Sequence, residues 1–121
     1  MSVDRDGLYL SLIAEAVEDI RRRIGVSEFQ AFIADRDEHA LAAFRLAIIG
    51  ENANKLSDEL RARHPNLPWP DMVAFRNIVS HEYHRVDPIL VWEAAHALDA
   101  IEEMVDFELT KQRIAVIPEA L

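Results

Sequence analysis

Apolar residues recur three or four positions apart along almost all of this 121-residue chain, and no stretch alternates with the period of a strand. A period near 3.6 lines one face of a helix, whereas a half-buried strand needs a period of two. The pattern commits the chain to helices packed on helices. In the first segment Tyr9, Ile13, Ala16, Ile20 and Ile24 form the stripe, with Asp4 or Asp6 placed to cap its start and Gly25 to end it. Ser27 with Gln30 reads as a capping box for a short helix over Phe29–Ile33, and Asp35 with Glu38 repeats that signal. Leu46, Ile49, Ala53, Leu56 and Leu60 then line one long helix, stopped at His64-Pro65 because the residue before proline is driven out of the α region.

Pro65-Asn66-Leu67-Pro68-Trp69-Pro70 is a stiff connector, and Pro70 suits the first turn of a third main helix, where a missing N–H costs nothing. Asp87-Pro88 opens a fourth, striped by Val91, Ala94, Leu98, Ile101 and Val105. The predicted fold is all-α: an antiparallel four-helix bundle with a short extra helix, forming one domain over 1–121. Its core is expected over about 6–108, followed by a tail from 111 to 121. The apolar run Ile114-Ala115-Val116-Ile117-Pro118 in that tail is expected to dock on its own bundle rather than on a partner.

Charge narrows what such a bundle can bind. The formal net charge is −9, unevenly spread. Residues 1–60 carry 7 basic and 12 acidic side chains, residues 86–121 carry 2 and 8, but residues 61–85 carry 4 and 2 plus three of the five histidines. A broad nucleic-acid footprint needs summed positive charge, so an acidic chain excludes it while a small local phosphate site stays open. The absence of cysteine removes disulfides and Cys-based zinc. With no signal-peptide pattern at Met1–Asp6 and no uncharged run longer than the eight residues Gly7–Ala14, a cytoplasmic protein without membrane contact is expected.

The favourable segment holds Arg76-Asn77-Ile78-Val79-Ser80-His81-Glu82-Tyr83. Arginine offers a permanent forked charge suited to phosphate, and histidine gives and takes protons near neutrality. At about 100° per residue from Arg76, the side chains of Met72, Phe75 and Val79 fall together on a buried face. Arg76, Ser80, Asn77 and His81 share a polar arc turned away from it. Asn77 and His81, four apart, can touch, so the amide is a candidate to orient the imidazole or contact substrate. Tyr83, His84 and Arg85 follow the helix end and can fold back toward the arc, which adds Tyr83 and Arg85 as candidate substrate-contacting residues.

The string resembles the R-x4-H-x-Y signature of the HepT-like branch of HEPN domains. Ile49-Gly50-Glu51-Asn52-Ala53-Asn54-Lys55-Leu56-Ser57 resembles that family's second-helix pattern. Leu67-Pro68-Trp69-Pro70-Asp71 and Asp87-Pro88-Ile89-Leu90-Val91-Trp92 resemble its lead-ins to the motif helix and the last helix. The resemblance covers most of residues 6–108 in order. It implies a HEPN bundle, commonly a homodimer with motif helices facing across a cleft, acting as a ribonuclease toxin paired with an MNT-type nucleotidyltransferase antitoxin. It further implies Arg76 and His81 as the catalytic pair and Tyr83 as the residue that the antitoxin modifies with AMP. Glu82 departs from the pattern, standing where glycine is frequent.

The expected chemistry is RNA cleavage with neither metal nor cofactor: His81 as base on the ribose 2′-hydroxyl or acid to the leaving oxygen, and Arg76 on the phosphate charge. The alternative is a non-catalytic HEPN module that binds a nucleotide or a protein through the same arc. His81-x-x-His84 and Glu93-x-x-His96 have ligand-like spacing, but a di-iron bundle wants two Glu-x-x-His elements. Arg21-Arg22-Arg23 reads as dipole-complementing charge at a helix end, and Trp69 and Trp92 as packing residues. Glu51 is open between a partner for Arg76 or His81 and a plain surface acid. His39, His64 and His96 read as bystanders.

Overall fold

A computed structural model describes the backbone of residues 2–116 and the side chains of residues 5–113. Within these residues seven α-helices follow in order: α1 (Ser2–Ile24), α2 (Phe29–Ala34), α3 (Arg36–Lys55), α4 (Asp58–Arg63), α5 (Trp69–His81), α6 (Pro88–Ala95) and α7 (Asp99–Val116). One 3-10 turn, Tyr83–Arg85, lies between α5 and α6, and no strand occurs among the described residues. The all-α architecture is the one that the spacing of apolar residues dictates. Helix α3 is central, packed on α1 on one side and on α5 and α6 on the other, with α7 closing against α1. Leu10, Ile13, Ile20, Leu60, Val91 and Val105 are fully enclosed between these layers.

Two of the expected long helices are broken. Leu56 leaves the α region, Ser57 takes an extended conformation, and its hydroxyl accepts from Leu60 N–H to start α4. Ser57 is fixed from outside as well. Buried Asp6 accepts from Ser57 N–H at 2.9 Å and from its hydroxyl at 2.7 Å. Asp6 is thus no cap of α1, whose start lies at Ser2. The last expected helix divides at His96-Ala97-Leu98, where His96 caps α6 and Arg21 holds Asp99 and Glu102 in the first turn of α7. The capping box at Ser27 is also absent: Glu28 occupies the cap position, and the Ser27 hydroxyl donates to the Arg23 carbonyl. By contrast Asp35 caps α3 through Asp37 and Glu38 N–H, and Asp87 caps α6 through Ile89 N–H. Of the apolar tail, Ile114–Val116 continue α7, and residues 117–121 lie outside the described residues.

The approach of α5 to α3 is set by Gly50. A Cβ there would lie 2.9 Å from the Arg76 Cβ and would collide with the Met72 carbonyl. Alanine normally favours a helix over glycine by roughly 0.5–1 kcal/mol, but forcing atoms into a packed contact costs about 1–3 kcal/mol. Gly50→Ala is therefore expected to lower the melting temperature despite the better helix former, which thermal unfolding followed by circular dichroism will read.

Candidate functional site

Helix α5 carries the candidate site because its two ends are defined and its inner face is apolar. It starts after Pro68 with Pro70 in the first turn and ends where Glu82 leaves helical geometry. Met72 is buried, and Phe75 and Val79 pack against the core, so the polar arc is left on the outer side. Arg76 is 34% exposed and its position is fixed from two directions. Its Nη2 lies 2.5 Å from Oε1 of Glu51 on α3, and its Nη1 donates to Oδ1 of Asn77 at 2.8 Å. Glu51 also meets Lys55 at 3.5 Å. The carboxylate left open by sequence is thus the partner of Arg76, and Gly50 beside it lets the two helices come close enough.

Asn77 therefore serves the guanidinium rather than the imidazole. His81, one turn beyond, is exposed and makes no hydrogen bond or ion pair among the described residues. Its ring is free to meet an incoming group. Glu82 and Arg85 pair with each other at 2.8 Å across the 3-10 turn. The acid that departs from the expected pattern is thereby neutralised locally, and Arg85 is engaged with it. Tyr83 is 48% exposed, and with His84 it turns toward the start of α3, lining a small nook with Arg36 and His39. Asn77 thus lies against Arg76, and His81 projects exposed from the last turn of the same helix, while Tyr83 and His84 border the nook.

Other polar residues prove structural. Arg21, Arg22 and Arg23 pair with Asp99, Asp19 and Glu38 respectively. Trp69 donates to the His64 carbonyl, and Trp92 packs against Phe29, Phe32 and His96. His64 is no bystander: its Nε2 donates to Glu108 at 2.6 Å, while Arg63 grips the same carboxylate through Nε and Nη2. Burial pushes the Glu108 carboxyl up, but hydrogen bonds from Arg63 and His64, with the charges of Arg63 and Lys111, outweigh it and hold the group below the ordinary 4.5. No signal in the linear spacing links residues 63, 64 and 108.

An apolar groove of about 550 Å³ lies on the other flank of α5, between Ile49, Met72, Phe75, Leu90 and Leu98. Among the described residues no three His, Asp or Glu side chains converge as metal ligands would, and no helix is long and apolar enough to cross a membrane.

Comparison with known proteins gives a consistent result. Residues 13–107 match the family described as Ribonuclease HepT-like. A Thermococcus cleftensis protein named "Probable ribonuclease HepT" is 32% identical over 85 residues, covering 70% of this chain and 77% of the relative. A Methanocaldococcus jannaschii protein, whose RNase name carries a similar qualification, is 32% identical over 85 residues, covering 70% and 78%. A Caldanaerobacter subterraneus relative, named in the same way, is 28% identical over 106 residues, covering 87% and 95%. No solved structure matches the chain.

Proposed function

Because this chain belongs to the ribonuclease HepT-like family, we propose that it is a metal-independent endoribonuclease with Arg76 and His81 at the reacting phosphate. The observation that carries the reading is the guanidinium of Arg76, clamped by Glu51 and Asn77 on the helix whose last turn bears an exposed, unengaged imidazole. The ribose 2′-oxygen attacks phosphorus and the bond to the 5′-oxygen breaks, leaving a 2′,3′-cyclic phosphate and a 5′-hydroxyl. His81 takes the 2′-hydroxyl proton or delivers one to the leaving oxygen, and Arg76 stabilises the charge on the non-bridging oxygens. The nucleophile belongs to the substrate, so RNA is cut and DNA of the same sequence survives. Cleavage of a defined RNA by the purified chain, undiminished in excess chelator, is the expected result. Loss of activity in chelator, or equal cutting of DNA, overturns it.

One imidazole in one protonation state performs only one of the two proton transfers. A second copy with its arc facing the first would supply the other, and Phe44 supports such pairing. It is 58% exposed and sits two turns before Glu51 on the same side of α3. Light scattering at micromolar concentration is expected to give a homodimer, and Phe44→Asp a monomer.

The biological role in this reading is that of a toxin in a toxin–antitoxin pair. The partner is an MNT-type nucleotidyltransferase that silences the chain by placing AMP on Tyr83. The half-exposed phenol two residues beyond His81 supports this, being reachable by an enzyme. Intact mass after co-expression with such a partner is expected to rise by one or more AMP units mapped to Tyr83, and Tyr83→Phe to abolish the gain. A binding module without catalysis is the contrasting reading, and the same RNA assay separates them.

A further inference from the structure

The nook behind Tyr83 has a composition that neither the core nor the arc explains. It encloses about 120 Å³ between the start of α3 and the turn after α5, with Ala40 and Ala43 as its small-residue floor. Its walls bring Arg36 and His39 from α3 against Tyr83 and His84 from the turn. Arg21, Arg22, Arg23, Arg61, Arg63, Arg76 and Arg85 are each held by a carboxylate, whereas Arg36, like Arg5, Arg45 and Arg113, makes no ion pair among the described residues. Of these four it is Arg36 that shares a cavity with two imidazoles and a phenol.

The acids around the nook are largely committed elsewhere. Asp35 accepts from Asp37 and Glu38 N–H as the cap of α3. Glu38 is bound in a fork by Arg23, and Glu82 by Arg85. Asp37, next to Arg36 in sequence, is the exposed acid that remains. His39 is oriented by an edge contact with Phe32, ring centroids 6.0 Å apart. A guanidinium without a partner, two imidazoles with N–H groups to donate and a phenol together form a donor-rich cup for a singly charged tetrahedral anion.

We infer that this nook binds a phosphodiester of the RNA strand next to the one being cut. The inference rests on the nuclease reading of the arc and deepens it by adding a subsite. Tyr83 stands in the wall of the nook and follows His81 by two residues, so one strand laid along the turn reaches both. Binding there positions the strand and leaves the chemical step to the arc. It also gives Tyr83 a second consequence: AMP esterified to the phenol would bring a phosphodiester of its own to the same cup and exclude the strand.

A deoxydinucleoside monophosphate, which carries the phosphodiester but no 2′-hydroxyl, is the direct probe. Titrated into the parent chain to millimolar concentration, it is expected to shift the ring resonances of His39 and His84. Arg36→Ala is expected to weaken that response about tenfold, the loss of one charge-assisted contact, and Arg36→Glu to remove it. With a short RNA, Arg36→Ala raises KM by a similar factor while kcat stays within about twofold. Arg36 is exposed, so these variants keep the fold. Silence of His39 and His84 throughout the titration overturns the inference, as does an unchanged KM in Arg36→Ala. A response found only in adenylylated protein also overturns it, because the phosphodiester then comes from Tyr83 and not from the strand. If the parent cuts no RNA but both imidazoles respond, the subsite stands and the nuclease reading falls. Cutting with KM insensitive to residue 36 removes the subsite and leaves the nuclease reading intact.

Discussion

His81→Ala is expected to lower kcat for RNA cleavage by about a thousandfold, within the range in which a positioned acid or base contributes. The melting temperature is expected to stay where it was. That separation follows from the surroundings of the ring. His81 is exposed and bonded to nothing among the described residues, so its removal opens no cavity and strands no buried polar group. Arg76 makes the complementary case. Arg76→Ala removes charge stabilisation at the phosphate, an effect of about 10²–10³ in kcat, but it also leaves Glu51 without its guanidinium. Arg76→Lys keeps the charge and loses the fork that spans Glu51 and Asn77, so rescue should be poor. Single-turnover cleavage alongside thermal unfolding decides the matter: an unimpaired His81→Ala enzyme removes His81 from the chemistry.

The largest effect on stability is expected far from the arc, at Arg63. Glu108 is 2% exposed and is held by Arg63 and His64. Arg63→Ala leaves a buried carboxylate with a single imidazole for company. The cost is about 2–3 kcal/mol, a fall in melting temperature of roughly 10 °C for a chain of this size. Arg61→Ala is the natural control. Its contact with Asp58 is shorter, 2.7 Å against 2.9 Å, but Asp58 is almost fully solvated. An exposed pair of this kind contributes a few tenths of a kcal/mol. Burial, not distance, decides between them.

The same network predicts a response to acid. The Glu108 carboxyl titrates lower in the folded chain than in the unfolded one. Its contribution is therefore complete above the ordinary value of 4.5 and is lost as pH falls through the depressed folded-state value. Glu38, held low by the hydrogen bond from Arg23, acts in the same direction. Denaturant unfolding below pH 5 is expected to show the parent losing stability faster than Arg63→Ala, which has already lost most of the Glu108 contribution.

The sequence yields the helices more readily than their ends, and the reason is visible at Ser57. Leu56 and Leu60 are both buried, so the apolar stripe runs unbroken across a backbone break that Asp6 imposes from 51 residues away. The same holds at His96–Leu98, where Val91, Leu98, Ile101 and Val105 keep to the core through a change of helix. Periodicity reports which face is inward, and a chain can turn while keeping that face inward. The site follows the same logic. Helical angles within α5 are enough to put Arg76, Asn77 and His81 outside the core, because they share one helix. The clamp by Glu51, the grip on Glu108 and the cup around Arg36 join different helices, and only folding brings those residues together.

The clamp on Arg76 bears on how the protein should respond to ionic strength. An unclamped arginine that meets a phosphate expels a condensed cation from the nucleic acid, which is what makes most such complexes dissolve in brine. Here the guanidinium already owns a negative companion. The Glu51 carboxylate cancels part of the charge at the site, so a phosphate that meets the pair feels a smaller net attraction than one that meets a bare guanidinium. Affinity at this arginine should therefore fall less steeply with added salt than an unpaired guanidinium would give.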